Sequence, residues 1–430
     1  MRLRAFAVAA VLALFPCTAL AAPQTNGGLV GGGSYVMYRD ATAATAALSL
    51  WFRAPSAGYD GASPGLARLA AAAAAAAPLE SGRSLAQFVR SVGGTLTIDV
   101  FPDITGISVV VPTSLTRRAV ASLTAAYFAP AITASALKDA QSDVALVAVQ
   151  QRYTADAVLH DALFAEIFSR GAAHESTLPA SMSALSAITL DDVSAFAKRA
   201  FRSNNALFAL TGGVDDGDLS AVSTNGASQG PAVDAPIDST LAPQPPPSTS
   251  EKGMFPATGI AWVGPPIRDQ RAATALDFIS DYLFHAQTGV MSKAYADSND
   301  TDVEGQFITL HDPGVFLVTV GGAQSAEAKQ HILDAIARLA QPIDANVFAA
   351  AREAFLFHIA SDLQTPLERA ETFGWYASEG NAVYAPGDAS ETYVKLVREL
   401  DAAYVASVAR TYLTRPIVVE LVPPPKGTNP

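Results

Sequence analysis

The chain has 430 residues, of which 50% are hydrophobic and 16% charged, with 28 Lys+Arg against 40 Asp+Glu and a formal net charge of −12. That length and apolar content suffice for two cored domains, while an acidic balance with no basic cluster argues against nucleic acid and anionic membrane surfaces as partners. The charged fraction is below the usual quarter, and much of the apolar excess is alanine, a composition suited to closely packed helices and a subunit interface.

Met1 to Ala21 reads as a secretory signal peptide. Arg2 and Arg4 give a basic start, Ala5 to Phe15 an apolar stretch too short to span a bilayer, and Ala19-Leu20-Ala21 a cleavage site. The expected product begins at Ala22 and is periplasmic or secreted. Leu14-Phe15-Pro16 ahead of Cys17 lacks the small residues of a lipoprotein anchor, and Cys17 is the only cysteine. The mature chain therefore has no disulfide, thiolate nucleophile or cysteine metal site.

Strands are predicted at Gly33 to Tyr38 and Ala46 to Phe52. Leu66 to Ala77 reads as a helix: it holds eight consecutive alanines, Ala70 to Ala77, and nothing breaks it before Pro78. Ser84 to Val92 is a second helix, after which Gly93-Gly94 turns into Thr95 to Val100, paired with Gly106 to Val111 as an antiparallel hairpin. Helices follow at Leu115 to Phe128, Ala134 to Ser169 and Thr189 to Phe201. The last opens on the capping pattern Thr189-Leu190-Asp191-Asp192, and Asn205 to Gly212 is a closing strand.

Residues 217–256, with the run Pro243-Gln244-Pro245-Pro246-Pro247, read as a Pro/Ser/Gly linker that is extended or disordered. Beyond it the scheme repeats. Gly259 to Val263 is a strand, Asp269 to His285 and Met291 to Asp297 are helices, and Gln306 to Leu310 with Val315 to Gly321 form a hairpin. Helices at Ala326 to Leu339, Asn346 to Leu363 and Ala402 to Leu413 precede a last strand at Ile417 to Leu421. The expected fold class is α+β, with two similar domains, 22–216 and 257–424, each a mostly antiparallel sheet packed with helices, and a tail at 425–430.

Gly65-Leu66-Ala67, Phe88-Val89-Arg90-Ser91-Val92-Gly93-Gly94-Thr95 and the Asp103-Ile104-Thr105 to Val111-Pro112 strand resemble, in content and order, the N-terminal domain of the insulinase/pitrilysin metallopeptidase family. Asp143 to Arg152 resembles that family's second ligand helix. Gly171-Ala172-Ala173-His174-Glu175-Ser176-Thr177-Leu178-Pro179 resembles a loop in which the family often has a Gly-His-Pro-Tyr-like segment. The resemblance spans nearly the whole mature chain.

In active members the motif H-x-x-E-H puts two histidines and a glutamate on one helix face, where the histidines bind Zn²⁺ and the glutamate is general base on the bound water. A later glutamate is the third ligand. The resemblance places these four positions at Arg68, Ala71, Ala72 and Ala148. Alanine offers no lone pair, and a permanently charged arginine is a poor zinc ligand. The resemblance thus implies a degenerate site with no catalytic residues and no zinc cofactor. Active members also use an arginine and a tyrosine from the second domain, in the segment here running from Gly289 to Phe307. No arginine lies between Arg271 and Arg338, and no tyrosine between Tyr295 and Tyr376.

Arg68 has two readings. One is an ordinary arginine paired with a carboxylate at the surface or in a cavity; the other is a cation in the vacated zinc position that holds a peptide carboxylate. Of the six histidines, four have one carboxylate at helical spacing: Asp156 with His160, Asp281 with His285, Glu327 with His331, and His358 with Asp362. Such pairs are ordinary helix-face electrostatics; no two histidines share the spacing, and the sequence puts no third ligand beside any pair. The expected function is that of a catalytically inactive chain, a non-catalytic subunit of a periplasmic zinc peptidase heterodimer whose peptide-binding chamber it helps form; the alternative is a structural subunit of an envelope assembly, and an active metallopeptidase with relocated ligands ranks last.

Overall fold

A computed structural model describes residues 24–54, 65–152, 154–168, 182–223, 241–242, 248–253, 255–298, 300–322, 325–378 and 389–423. Among these residues the first half runs β1 (Gln24–Gly28), β2 (Ser34–Arg39), β3 (Thr45–Phe52), α1 (Leu66–Ala76), α2 (Leu85–Ser91), β4 (Thr95–Val100) and β5 (Thr105–Pro112). It continues with α3 (Thr116–Phe128), α4 (Ala134–Arg152), α5 (Ala155–Ile167), α6 (Met182–Ala187), α7 (Leu190–Ala200), β6 (Ala206–Gly212) and α8 (Asp216–Leu219). The second half runs β7 (Ser248–Lys252), β8 (Ala257–Val263), α9 (Gln270–Phe284), α10 (Val290–Tyr295), β9 (Thr301–Ile308) and β10 (Val315–Gly322). It closes with α11 (Ser325–Arg338), α12 (Ala345–Asp362), α13 (Pro366–Ser378), α14 (Ala389–Arg398), α15 (Ala402–Tyr412) and β11 (Ile417–Val422).

The strands form a six-stranded sheet, β1-β2-β6-β3-β5-β4, and a five-stranded sheet, β7-β11-β8-β10-β9. Apart from β1, the two orders match strand for strand. In each, the first strand lies parallel to the last, β2 beside β6 and β7 beside β11, and the other pairings are antiparallel. The chain is therefore a tandem repeat in three dimensions, with two α+β units whose likeness their sequences do not display. In chain order, α9 is the counterpart of α1 and α12 the counterpart of α4.

Period-two alternation along β3 shows how the layers are built. Ala46, Leu48, Leu50 and Phe52 enter a core with Leu69 of α1, Leu123 of α3 and Phe196 of α7. Ala47 points to the other face, where it joins Ala209, Ala370 and Phe373 in a core that includes the second half's α9 side chains. The helix on that outer face of the first sheet is α13, from the second half. Conversely α5, from the first half, covers the outer face of the second sheet, with Leu159, Leu163, Phe164, Ile167 and Phe168 packed on Ala257, Ala261, Leu317 and Val419. Burying each large apolar side chain there contributes roughly 1.5–3 kcal/mol, so the halves are interlocked by an exchanged helix on each side.

Several sequence expectations change. The single helix expected from Ala134 to Ser169 is two, α4 and α5, because Thr154 is extended (φ −92, ψ 130) and starts α5 anew. Only that break lets α5 cross to the second sheet. The 217–256 linker contains β7, an edge strand paired with β11, and its first residues belong to α8. Helices α6, α13 and α14 and strand β1 were not among the expected elements. The signal segment, Cys17, the Gly171-to-Pro179 loop with His174, 224–240 and 243–247 of the linker, and the 425–430 tail lie outside the described residues. Among the described residues, no helix is long and apolar enough to cross a membrane.

Candidate functional site

Gly65, with φ 84, starts α1 without a side-chain cap. The alanine run then lets the helix sink against the sheet and its neighbours: Ala70, Ala71, Ala73 and Ala74 are fully buried. The helix packs against α4, the element carrying Ala148, which is buried too. The structure thus sets the four motif positions on two adjoining helices, with methyl groups at Ala71, Ala72 and Ala148. Methyl groups supply no donor to a metal. The Ala71 carbonyl instead accepts a hydrogen bond from the buried Tyr127 hydroxyl at 2.9 Å.

Arg68 is half-buried and donates through Nη1 to the Ile98 carbonyl of β4 at 3.2 Å. Its neighbour Asp99 faces it. Burial lowers the Arg68 pKa while Asp99 opposes the shift, and burial raises the Asp99 pKa while Arg68 opposes that shift. Both line a cavity of about 550 Å³ between the halves. The first reading of Arg68, a cavity arginine with a carboxylate beside it, describes this geometry.

The cavity has aromatic walls from both halves: Trp51 and Phe101 from the first, Phe307, Trp375 and Tyr376 from the second. Its acidic and basic side chains are Arg68, Asp99, Asp156, His160 and Glu371. Asp156 accepts from the Thr319 hydroxyl at 3.0 Å, and His160 stacks on Phe164 with centroids 4.5 Å apart. Burial lowers the His160 pKa, with Asp156 opposing. Burial raises the Glu371 pKa, against a hydrogen bond from Ser108. Sequence reading missed Glu371, Trp375 and Tyr376 because α13 was not foreseen, although Pro366-Leu367-Glu368 has the proline-first pattern of a helix start.

The segment from Gly289 to Phe307 divides. Gln306 and Phe307 of β9 line the cavity, whereas Tyr295 of α10 is turned to His331, its hydroxyl 3.3 Å from His331 Nδ1.

A second cluster stands on α9 and α12. Asp281 and His285 lie one helical turn apart, and His358 of α12 brings its Nδ1 to 2.8 Å from Asp281 Oδ1. The His285 and His358 rings stack with centroids 3.5 Å apart and planes 1° from parallel. One ligand-type atom from each of the three residues falls within 4.8 Å of the others. The sequence expectation that no third ligand lies near an Asp–His pair is corrected here: His358 arrives by the packing of α12 on α9, which no spacing encodes. Burial raises the Asp281 pKa, and the His358 hydrogen bond opposes it.

Residues 187–355 match the family model described as the peptidase M16 inactive domain. The match covers α9 but neither α1 nor α4. A peptidase M16 inactive domain from Pseudomonas fluorescens is similar over 95% of this chain and 100% of its own, at 16% identity and a TM-score of 0.76. A protease from Helicobacter pylori is similar over 94% of this chain and 100% of its own, at 15% identity and 0.76. A chain of complex III2 from Candida albicans, with Inz-5 bound, is similar over 92% of this chain and 95% of its own, at 12% identity and 0.73. At these identities the likeness establishes a shared fold. No curated protein matches the sequence.

Proposed function

We propose that this chain, a non-catalytic member of the M16 (insulinase/pitrilysin) family carrying that family's inactive domain over residues 187–355, pairs with an active zinc peptidase of the same family and helps form its peptide-binding chamber. The observation that carries this reading is the cavity between the halves. It has aromatic walls and a cationic Arg68, which α1 supplies; the same helix carries Ala71 and Ala72 at two of the positions where the family resemblance places the zinc motif. An extended peptide or unfolded polypeptide suits such a space: aromatic rings cover its side chains, and the guanidinium accepts a carboxylate in a fork geometry.

On this reading the mature protein works in the periplasm or outside the cell after cleavage behind Ala21, and the family's zinc position in the first half stays metal-free. Co-purification from the native envelope should bring down a relative with an intact H-x-x-E-H helix. The purified chain alone should cleave no peptide, and Arg68→Gln should weaken peptide binding about tenfold, the loss of one charge-assisted contact. Chelator-sensitive cleavage by the purified chain would overturn the proposal. A second reading, a structural subunit of an envelope assembly, draws support from the fold shared with a chain of complex III2. It would be favoured by co-purification with a large assembly that lacks any H-x-x-E-H member.

A further inference from the structure

We propose that Asp281, His285 and His358 form a binding site for one divalent transition-metal ion of the zinc class, in the half of the chain opposite the degenerate motif. Two imidazole nitrogens and one carboxylate oxygen are a donor set that suits zinc and its neighbours, whereas hard cations such as Mg²⁺ take oxygen ligands almost alone.

The backbone brings the three together before any ion arrives. Helix α9 fixes Asp281 and His285 at i and i+4 on one face. Helix α12 supplies His358, which is 7% exposed and held against Asp281 at 2.8 Å. A tetrahedral ion with bonds of about 2.0–2.2 Å holds its donors roughly 3.3 Å apart. The cluster already lies within 4.8 Å, so side-chain torsions of α9 and α12 can close it without moving either helix axis.

Two adjustments are required: the proton held between His358 Nδ1 and Asp281 Oδ1 leaves to solvent as the ion binds, as metal binding to such ligands releases protons, and one ring turns. Stacked rings present their lone pairs in parallel planes, so one imidazole must turn for both to reach a single ion. His285 is the ring free to do so, because it is the C-terminal cap of α9, half-exposed, and followed by the turn into Gly289. Its Nδ1 sits 2.9 Å from the Thr288 hydroxyl. Nδ1 also receives the Gln287 amide at 3.4 Å; once the ring turns away from that amide, the Thr288 oxygen can accept a hydrogen bond from Nδ1–H, which leaves the Nε2 lone pair for the ion and orients the ring, as outer partners do in metal sites.

An independent observation lies next to the cluster. Asp281 and His285 line a cavity of about 360 Å³ that also receives Asp277 and Asp362. Asp362 is close enough for its charge to act on Asp281. Three carboxyl groups therefore face a space lined by no lysine or arginine. A bound cation would be attracted by the carboxylates of Asp281 and Asp362, which act on each other, and the cavity leaves room for water at a fourth coordination position. The ligands stand on α9 and α12, the counterparts of the helices α1 and α4 that carry the vacated positions in the first half.

The experiment uses the purified mature chain, stripped with chelator and titrated with Zn²⁺, with binding read by calorimetry and bound metal by elemental analysis. The expected result is one zinc per chain and a raised melting temperature, with no response to Mg²⁺ at equal concentration. His285→Ala and Asp281→Asn should each lower zinc affinity at least 100-fold while circular dichroism stays unchanged. His285 is half-exposed at a helix end, so its removal does not threaten folding. His331→Ala, on α11, should leave the stoichiometry at one. Absence of stoichiometric zinc, zinc retained undiminished by both ligand variants, or an equal response to Mg²⁺ would overturn the site. Zinc binding without proteolysis supports the site and leaves the non-catalytic reading standing. Zinc-dependent proteolysis abolished by His285→Ala supports the site and overturns that reading.

Discussion

Trp375 of α13 stands edge-on to Trp51 of β3, ring centroids 6.1 Å apart and planes at 90°, so the contact that closes the cavity also fastens the two halves. Phe101 completes the cluster at 4.4 Å from Trp375, and Trp375 Nε1 donates to Thr309 Oγ1 of the second half at 3.0 Å. The helix can come this close because the residue before Trp375 is Gly374. A Cβ built there would meet Trp51 Nε1 at 1.8 Å.

Gly374→Ala tests that contact, since two effects of opposite sign compete. Alanine is favoured over glycine in a helix by about 1 kcal/mol. Forcing a methyl into a filled contact costs about 1–3 kcal/mol, and a 1.8 Å approach belongs at the upper end. The variant should therefore lose about 1–2 kcal/mol in denaturant unfolding. A gain in stability would show that Trp51 and α13 are not packed as described.

Asp277 is half-buried, and desolvation pushes its carboxyl up to about 7, against a 2.7 Å hydrogen bond from the Tyr393 hydroxyl. With a folded pKa above the ordinary 3.8, the native state binds a proton that the unfolded chain releases between about pH 4 and pH 7. The group's contribution is therefore most favourable at pH 4 and below and declines as pH rises to 7. About 3 units correspond to a loss on the order of 4 kcal/mol. Asp281, Asp99 and Glu371 shift in the same direction and add to the slope. Asp277→Asn keeps the acceptor for Tyr393 and cannot ionise. Its unfolding free energy should fall less steeply from pH 4 to 7 than that of the unaltered chain, and an unchanged slope would refute the assignment.

Much of this fold was legible because local signals agree with tertiary position. The Thr189 cap and the Gly93-Gly94 turn each name an element correctly. The misses have identifiable causes. Strands β1 (Gln24-Thr25-Asn26-Gly27-Gly28) and β7 (Ser248-Thr249-Ser250-Glu251-Lys252) carry no apolar alternation and exist because β2 and β11 offer edges to pair with. The α4–α5 break has no proline or glycine to mark it; tertiary packing of α5 on the second sheet overrides a continuous helical pattern. For Arg68 the sequence left two readings, a carboxylate partner or a cation that holds a peptide carboxylate, and neither named Asp99. The Asp281–His285 pair was visible, while His358 joins it only through the α9–α12 contact.

The capping box at Thr189 offers a local test. Its hydroxyl accepts from the Asp192 amide at 3.2 Å, and the Asp192 carboxylate accepts from the Thr189 amide at 2.9 Å. Thr189→Ala should cost about 1 kcal/mol, within the usual range for a lost cap. The readout is the unfolding midpoint at constant m-value. A shift in m as well would mean that α7 frays in the native state rather than simply losing a bond.

The exchanged helices give the last prediction. A fragment ending at residue 223 keeps α5 but has no α13, so Ala47, Ala209 and Trp51 lose their cover, and Leu159, Leu163 and Phe164 have no sheet to pack on. A fragment starting at residue 248 exposes Ala257, Ala261, Leu317 and Val419 for the complementary reason. Exposed apolar faces of this extent drive association. Each fragment expressed alone should aggregate or elute as a broad, high-mass species on size exclusion. Co-expression of the two should restore one species of the full chain's size, because the faces are complementary. Two fragments that are separately monomeric and cooperatively folded would show that each sheet is stable without the other half's helix, and the interlocked description would then fail.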